Sequence, residues 1–133
     1  MHPKIFSKHL QHDQIVTAIH EAEHKTSGKI GVSISVKHVE DPVAAAQKEF
    51  LRLGMDKSPE RNGVLIFVAP QAHRFAVIGD EGVHAKCGDP FWRELAAAME
   101  GYFRRAEFTE GIVHGVARAG NLLAEHFPRK QSR

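Results

Sequence analysis

The longest apolar run in the chain is Val64-Leu65-Ile66-Phe67-Val68-Ala69. It is rich in β-branched and aromatic residues and has no polar interruption, the pattern of a strand buried on both faces. Pro70-Gln71-Ala72-His73 breaks it, and Phe75, Val77 and Ile78 mark a second strand over 74–79. A turn that short between two strands predicts an antiparallel hairpin. Upstream, Ile15, Ala18, Ile19 and Ala22 recur at helical spacing. They predict a helix over 7–25, capped by Ser7 and stopped at Gly28. Ile30, Val32, Ile34 and Val36 then alternate with Lys29, Gly31, Ser33 and Ser35, a half-buried strand over 29–36. Asp41 as cap and Pro42 in the first turn open a helix through 44–53, with Ala46, Phe50 and Leu53 facing inward and Gly54 ending it.

Strand, helix and strand in that order predict a right-handed parallel crossover. The strand over 29–36 should therefore run parallel to 64–69, and the hairpin partner antiparallel. Downstream, Asp89 and Pro90 open a third helix through Leu95, Met99, Tyr102 and Phe103. Thr109 caps a fourth, ending near His126 before Pro128. Gly111, Gly115 and Ala119 make a small-residue stripe on it. A glycine inside a helix costs about 1 kcal/mol, so the stripe predicts close approach of a neighbour. The expected fold class is α/β: a small mixed sheet, with a parallel βαβ crossover plus an antiparallel hairpin strand, packed with about four helices in a single domain. The division expected is an N-terminal extension over 1–6, the domain over 7–127 and a basic C-terminal tail over 128–133.

Composition narrows the class. The 133 residues are 42% hydrophobic and 26% charged, with a net charge of +2. That is globular, and too balanced for a dedicated nucleic-acid binder. A single cysteine, Cys87, excludes an internal disulfide and fits a reducing compartment. The N-terminus has no apolar core of a signal peptide, and no run approaches the ~20 residues of a membrane span. The expectation is a soluble cytoplasmic protein with no membrane span and no nucleic-acid partner.

Several ordered segments carry a family resemblance. They are Ala22-Glu23, Thr26-Ser27-Gly28-Lys29-Ile30, Arg61-Asn62-Gly63-Val64-Leu65, Phe75-Ala76-Val77-Ile78-Gly79, Tyr102-Phe103, Phe108 and Glu110-Gly111. Over 7–127 the chain resembles the TPM domain family, that of a plant thylakoid-lumen phosphatase and of bacterial relatives. The resemblance implies an α/β fold, divalent-metal binding at acidic loops, and the phosphatase activity described for some members. Two departures stand out. Many members carry an acidic pair at the hairpin turn, where this chain has Gln71-Ala72. Many follow the paired strand with a Gly-Leu-Glu-Gly-like sequence, where this chain has Gly79-Asp80-Glu81-Gly82. Typical members also carry a signal peptide, so the chain looks like a compact cytosolic branch.

Three constellations bear chemistry. His20-Glu21-Ala22-Glu23-His24 matches the zinc-peptidase pattern, with two histidines a helical turn apart and a glutamate as base. At about 100° per residue the histidines point away from the apolar stripe, so a solvated face or adventitious metal competes with a zinc hydrolase. Cys87 and Arg93 have cysteine-phosphatase spacing. The intervening Gly88-Asp89-Pro90-Phe91-Trp92 supplies a carboxylate, a residue without N–H and two bulky rings where a phosphate cradle needs free amides.

The third constellation forms where the hairpin strand ends beside the start of the parallel strands. Asp80, Glu81 and His84 should lie near Glu60, Arg61, Asn62 and Asp56. Carboxylate and amide oxygens of Asp80, Glu81 and Asn62 suit Mg²⁺ or Ca²⁺. A metal-dependent phosphatase would use them on the ion, with Arg61 or Lys57 on phosphate. The competing reading is structural, with Asp80 and Asn62 capping turns and Arg61 paired to Glu60 or Glu81. Phe91 and Trp92 beside this loop are core or a partner anchor. The favoured expectation is a ligand- or partner-binding module contacting a protein or small phosphorylated ligand through Arg61, Asn62, Asp80, Glu81 and His84. The phosphatase ranks second, and the zinc hydrolase last.

Overall fold

The computed structural model describes residues 12–35, 39–69 and 74–129. Its elements are α1 (His12–Glu23), β1 (Lys29–Ile34), α2 (Pro42–Arg52), β2 (Gly63–Ala69), β3 (Arg74–Gly79), α3 (Glu81–Arg104) and α4 (Phe108–His126). A single 3-10 turn, Met55–Lys57, follows α2. The strands form one sheet in the order β1-β2-β3. β1 pairs parallel to β2, with Ile30 opposite Val64. β3 pairs antiparallel to β2, with Val64 opposite Gly79 and Ala69 opposite Arg74. The mixed α/β sheet expected from the hydrophobic periods is therefore the sheet that forms.

β2 is buried along its whole length because helices cover both faces. Val64, Ile66 and Val68 join Ile15, Ala18, Leu95, Met99, Ile112, Val116 and Leu123 in the main core under α1, α3 and α4. Phe67 and Ala69 point the other way, with Ala76 and Ala46 of α2. Each such aliphatic side chain contributes about 1.5–3 kcal/mol on burial, which is why the central strand tolerates no polar residue. The small-residue stripe on α4 meets its expected neighbours. A Cβ on Gly111 would come within 2.7 Å of the Phe103 ring, and one on Gly115 within 2.6 Å of Met99 Sδ.

Several boundaries differ from the sequence expectation. The cap at Ser7, the strand end at Val36 and the turn at Gln71-Ala72 lie outside the described residues. Leu53 was expected to face inward; it is 46% exposed, because α2 ends at Arg52 and Leu53 is already its C-cap. Gly54 takes φ 72°, the left-handed conformation that glycine makes cheap. Thr109 does not cap α4. It lies buried within the first turn, and the cap position is Glu107. The third helix was expected to start at Asp89. It starts at Glu81, with Asp80 as its cap, and breaks at Gly88, where φ is 72°. Pro90 then falls in the first turn after the break, where its missing N–H costs nothing. The C-terminal end of α4 is tied to the exit of α1: Thr26 Oγ1 donates to the Phe127 carbonyl, and Thr26 forms a bridge with Pro128.

Candidate functional site

The corner where β3 ends beside the start of β2 brings together Arg61, Asp80 and Glu81. The sheet ladder places them: Asp80 N–H donates to the Gly63 carbonyl at 2.9 Å, and Gly82 N–H to the Arg61 carbonyl at 2.9 Å. Backbone approach there is so close that a Cβ on Gly82 would lie 2.2 Å from the Glu60 carbonyl oxygen and 2.5 Å from that of Arg61. Arg61 itself adopts φ 52°, an unusual left-handed conformation for a side-chain-bearing residue. Its guanidinium reaches Asp80 and Glu81 at the end of β3.

Asp80 is the buried member, 6% exposed. Its Oδ2 accepts from Arg61 Nε at 2.8 Å, and its Oδ1 accepts from the Glu81 N–H at 2.8 Å as the cap of α3. Burial pushes the Asp80 carboxyl up. The hydrogen bonds from Arg61 and the Glu81 amide, with the charges of Arg61 and His84, outweigh it and hold the group below the usual carboxylate range. Arg61 Nη1 also meets the exposed Glu81 carboxylate at 3.1 Å. Arg61 therefore pairs with Asp80 and Glu81 rather than with Glu60.

The other members separate by environment. Asn62 is 1% exposed. Its Nδ2 donates to Ser27 Oγ at 3.2 Å, and its Oδ1 accepts from Ser58 Oγ at 3.3 Å. Ser27 Oγ in turn donates to Glu60 Oε1 at 2.9 Å. Asn62 thus sits in a chain of hydroxyls and serves the loop. Ser27 carried no signal of that role in the sequence, because it becomes a partner of Asn62 only once β1 lies beside β2, whereas Ser58 is a local partner in the loop just before Asn62. Asp56 is close enough to add its charge to the field at Arg61. His84, on the first turn of α3, accepts from Trp92 Nε1 through Nδ1 at 3.0 Å, with ring centroids 4.7 Å apart. Trp92 is wedged over Gly79, where a Cβ would fall 1.9 Å from the indole, and Phe91 is buried in the core.

This donor set does not fit a divalent cation as it stands. Both Asp80 oxygens are engaged, one of them by a guanidinium that occupies the place of positive charge between the two carboxylates. Asn62 Oδ1 is engaged by Ser58. Among the described residues no group of three or more His, Cys, Asp and Glu side chains is arranged to hold a metal ion. His20 and His24 line a shallow surface depression with Glu21 and Lys25, outside the core. The Cys87 thiol is half-buried, and burial, with Glu125 nearby, pushes it up, the opposite of what a nucleophile requires. No helix among the described residues is long and apolar enough to cross a membrane.

Comparison with known proteins agrees with this architecture. The sequence profile of the TPM domain matches residues 3–122. The protein BA42 from the psychrophilic bacterium Bizionia argentinensis, solved by NMR, is 36% identical, with a TM-score of 0.85 over 92% of this chain and 87% of that one. The N-terminal domain of the cg2496 protein from Corynebacterium glutamicum shares the fold at 14% identity and a TM-score of 0.66, over 82% of this chain and 68% of that one. An N-terminal domain from P. gingivalis does so at 17% identity and 0.65, over 92% and 83%. No curated protein matches the chain.

Proposed function

The chain belongs to the TPM domain family, and on that premise we propose that it acts as a binding module. Its contact surface is the corner formed by Arg61, Glu81 and His84, and it receives a charged ligand or protein partner. The observation that supports this most is the engagement of both Asp80 oxygens by Arg61 and the α3 amide. A carboxylate so used fixes its neighbours, and the hydrogen bonds that favour its ionised form make it a weaker base for activating water. The exposed groups it holds in place are Glu81 and the outer edge of Arg61, which are 73% and 43% exposed. Fixed charges on a rigid support favour recognition, because little side-chain freedom is lost on contact. A cytoplasmic location belongs to the same proposal and rests on the lone cysteine.

The competing reading is a metal-dependent phosphatase. Mg²⁺ or Ca²⁺ would have to displace Arg61 to reach Asp80. The test is a backbone NMR titration of chelator-stripped protein with Mg²⁺, Ca²⁺ and p-nitrophenyl phosphate, run beside a turnover assay. Saturable shifts at Arg61, Glu81 and His84 without turnover support the binding module. Metal-dependent turnover that disappears in Asp80→Asn overturns it in favour of catalysis.

A further inference from the structure

The opposite end of β3 carries a second feature, separated from the Asp80 corner by a six-residue strand, about 20 Å of backbone. A cleft of about 550 Å³ opens there, lined by Pro42, Val43, Arg74, Phe75, Glu100, Phe103 and Arg104. We propose that this cleft binds a small molecule with an anionic head, a carboxylate or phosphate ester, on an apolar ring-sized body. This goes beyond the corner assigned above and uses none of its residues.

The lining has the two parts such a ligand needs. Phe75 and Phe103 form a tilted ring pair with centroids 5.0 Å apart, and the ring of Pro42 and the half-exposed Val43 complete an apolar wall. The rim is cationic. Arg104 Nη2 donates to Glu100 Oε1 at 2.6 Å, which leaves its other N–H groups for a ligand. Arg74 is exposed and forms no ion pair with any described residue. The two arginines against one glutamate leave one positive charge in excess beside an apolar wall. A guanidinium fork matches the paired oxygens of a carboxylate or phosphate.

Size and position point the same way. The volume lies within the roughly 300–1,000 Å³ of small-molecule sites, which are mostly apolar with few placed polar groups. The cleft also sits at the carboxyl ends of the parallel strands. Arg74 pairs with Ala69 at the end of β2, and α2 begins with Pro42 after β1. Ligands of open α/β sheets settle outside that end of the strands.

The experiment is a ¹⁵N-¹H NMR titration of the full chain with phenyl phosphate, benzoate and benzyl alcohol. The expected result is saturable shifts at Val43, Arg74, Phe75, Phe103 and Arg104 with at least one anion. The anion that binds identifies the head. Arg74→Gln should weaken binding by about tenfold or more, and benzyl alcohol should bind more weakly than either anion. Arg74 is exposed, so this variant should keep the wild-type spectrum elsewhere. The proposal is overturned if neither anion shifts the cleft at millimolar concentration, if Arg74→Gln binds as wild type, or if benzyl alcohol binds equally well. Shifts confined to Arg61, Glu81 and His84 would overturn it while leaving the corner reading intact.

Discussion

Gly82→Ala tests the corner through a contest of two effects. Gly82 is the second residue of α3. By helix propensity alone, alanine there should stabilise the protein by at most about 1 kcal/mol. The packing opposes this. The added methyl would lie 2.2 Å from the Glu60 carbonyl oxygen, where ordinary contact starts at 3.4 Å, so backbone must move by more than an ångström. Overpacking of that kind costs about 1–3 kcal/mol. The shift also breaks the 2.9 Å hydrogen bond from Gly82 N–H to the Arg61 carbonyl, a further loss of about 1 kcal/mol. It turns Arg61 from the buried Asp80 carboxylate as well. Against the propensity gain, the net is a destabilisation of about 1–3 kcal/mol. For a domain of this size that is roughly a 4–12 °C fall in Tm. Thermal and urea unfolding followed by the fluorescence of the sole tryptophan, Trp92, measures it. Gly101→Ala is the matched control: its methyl would meet only Arg105 Nη1 at 3.6 Å, so it should gain about 1 kcal/mol. Equal stabilisation by both substitutions would refute the reasoning.

Three further outcomes follow from the charges and the thiol. Asp80 is held below the carboxylate range in the folded state, so its contribution is complete above the unfolded value of about 3.9 and fades as pH falls through the lower folded one. Asp80→Asn should thus be less stable than wild type at neutral pH and converge with it in acid; a pH-independent gap in urea midpoints would contradict this. Glu49 is lowered to about 2, first by the hydrogen bond from Arg52, then by the Ser33 hydroxyl, against a smaller upward push from burial. Its carboxyl ¹³C resonance should titrate near that value and move back up in Arg52→Gln; a midpoint near 4.5 in the wild type would show the contact absent in solution. Cys87, with its thiol pushed up by burial, should react with a disulfide reagent more slowly than free cysteine at the same pH, and faster reaction would refute the assignment.

The corner shows where reading the chain alone stops. Arg61, Asp80 and Glu81 could be placed together from topology, since an antiparallel partner must end where its parallel neighbours begin. Which carboxylate Arg61 takes could not. That goes with the left-handed backbone at Arg61 and the burial of Asp80, neither of which the chain alone displays. Asp80 as the cap of α3 was partly legible, because an Asp followed by Glu opens many helices. Asp89-Pro90 is a second helix-opening signal, and the break at Gly88 reconciles the two. The cleft at Arg74 and Arg104 left no trace in the chain, because its walls come from α2, β3 and α3.

What the sequence determined by itself was the set of elements and the sheet. Hydrophobic period is a local property: the continuous run of β2, the alternation of β1 and the helical stripes of α1, α2 and α4 each demand one kind of burial, and together they admit one mixed sheet. Tertiary structure alone decided which polar groups became partners. A buried carboxylate takes whichever donor the packed backbone brings within about 3 Å, and Arg61 and Ser27 reach Asp80 and Asn62 only after the strands have come together in the sheet.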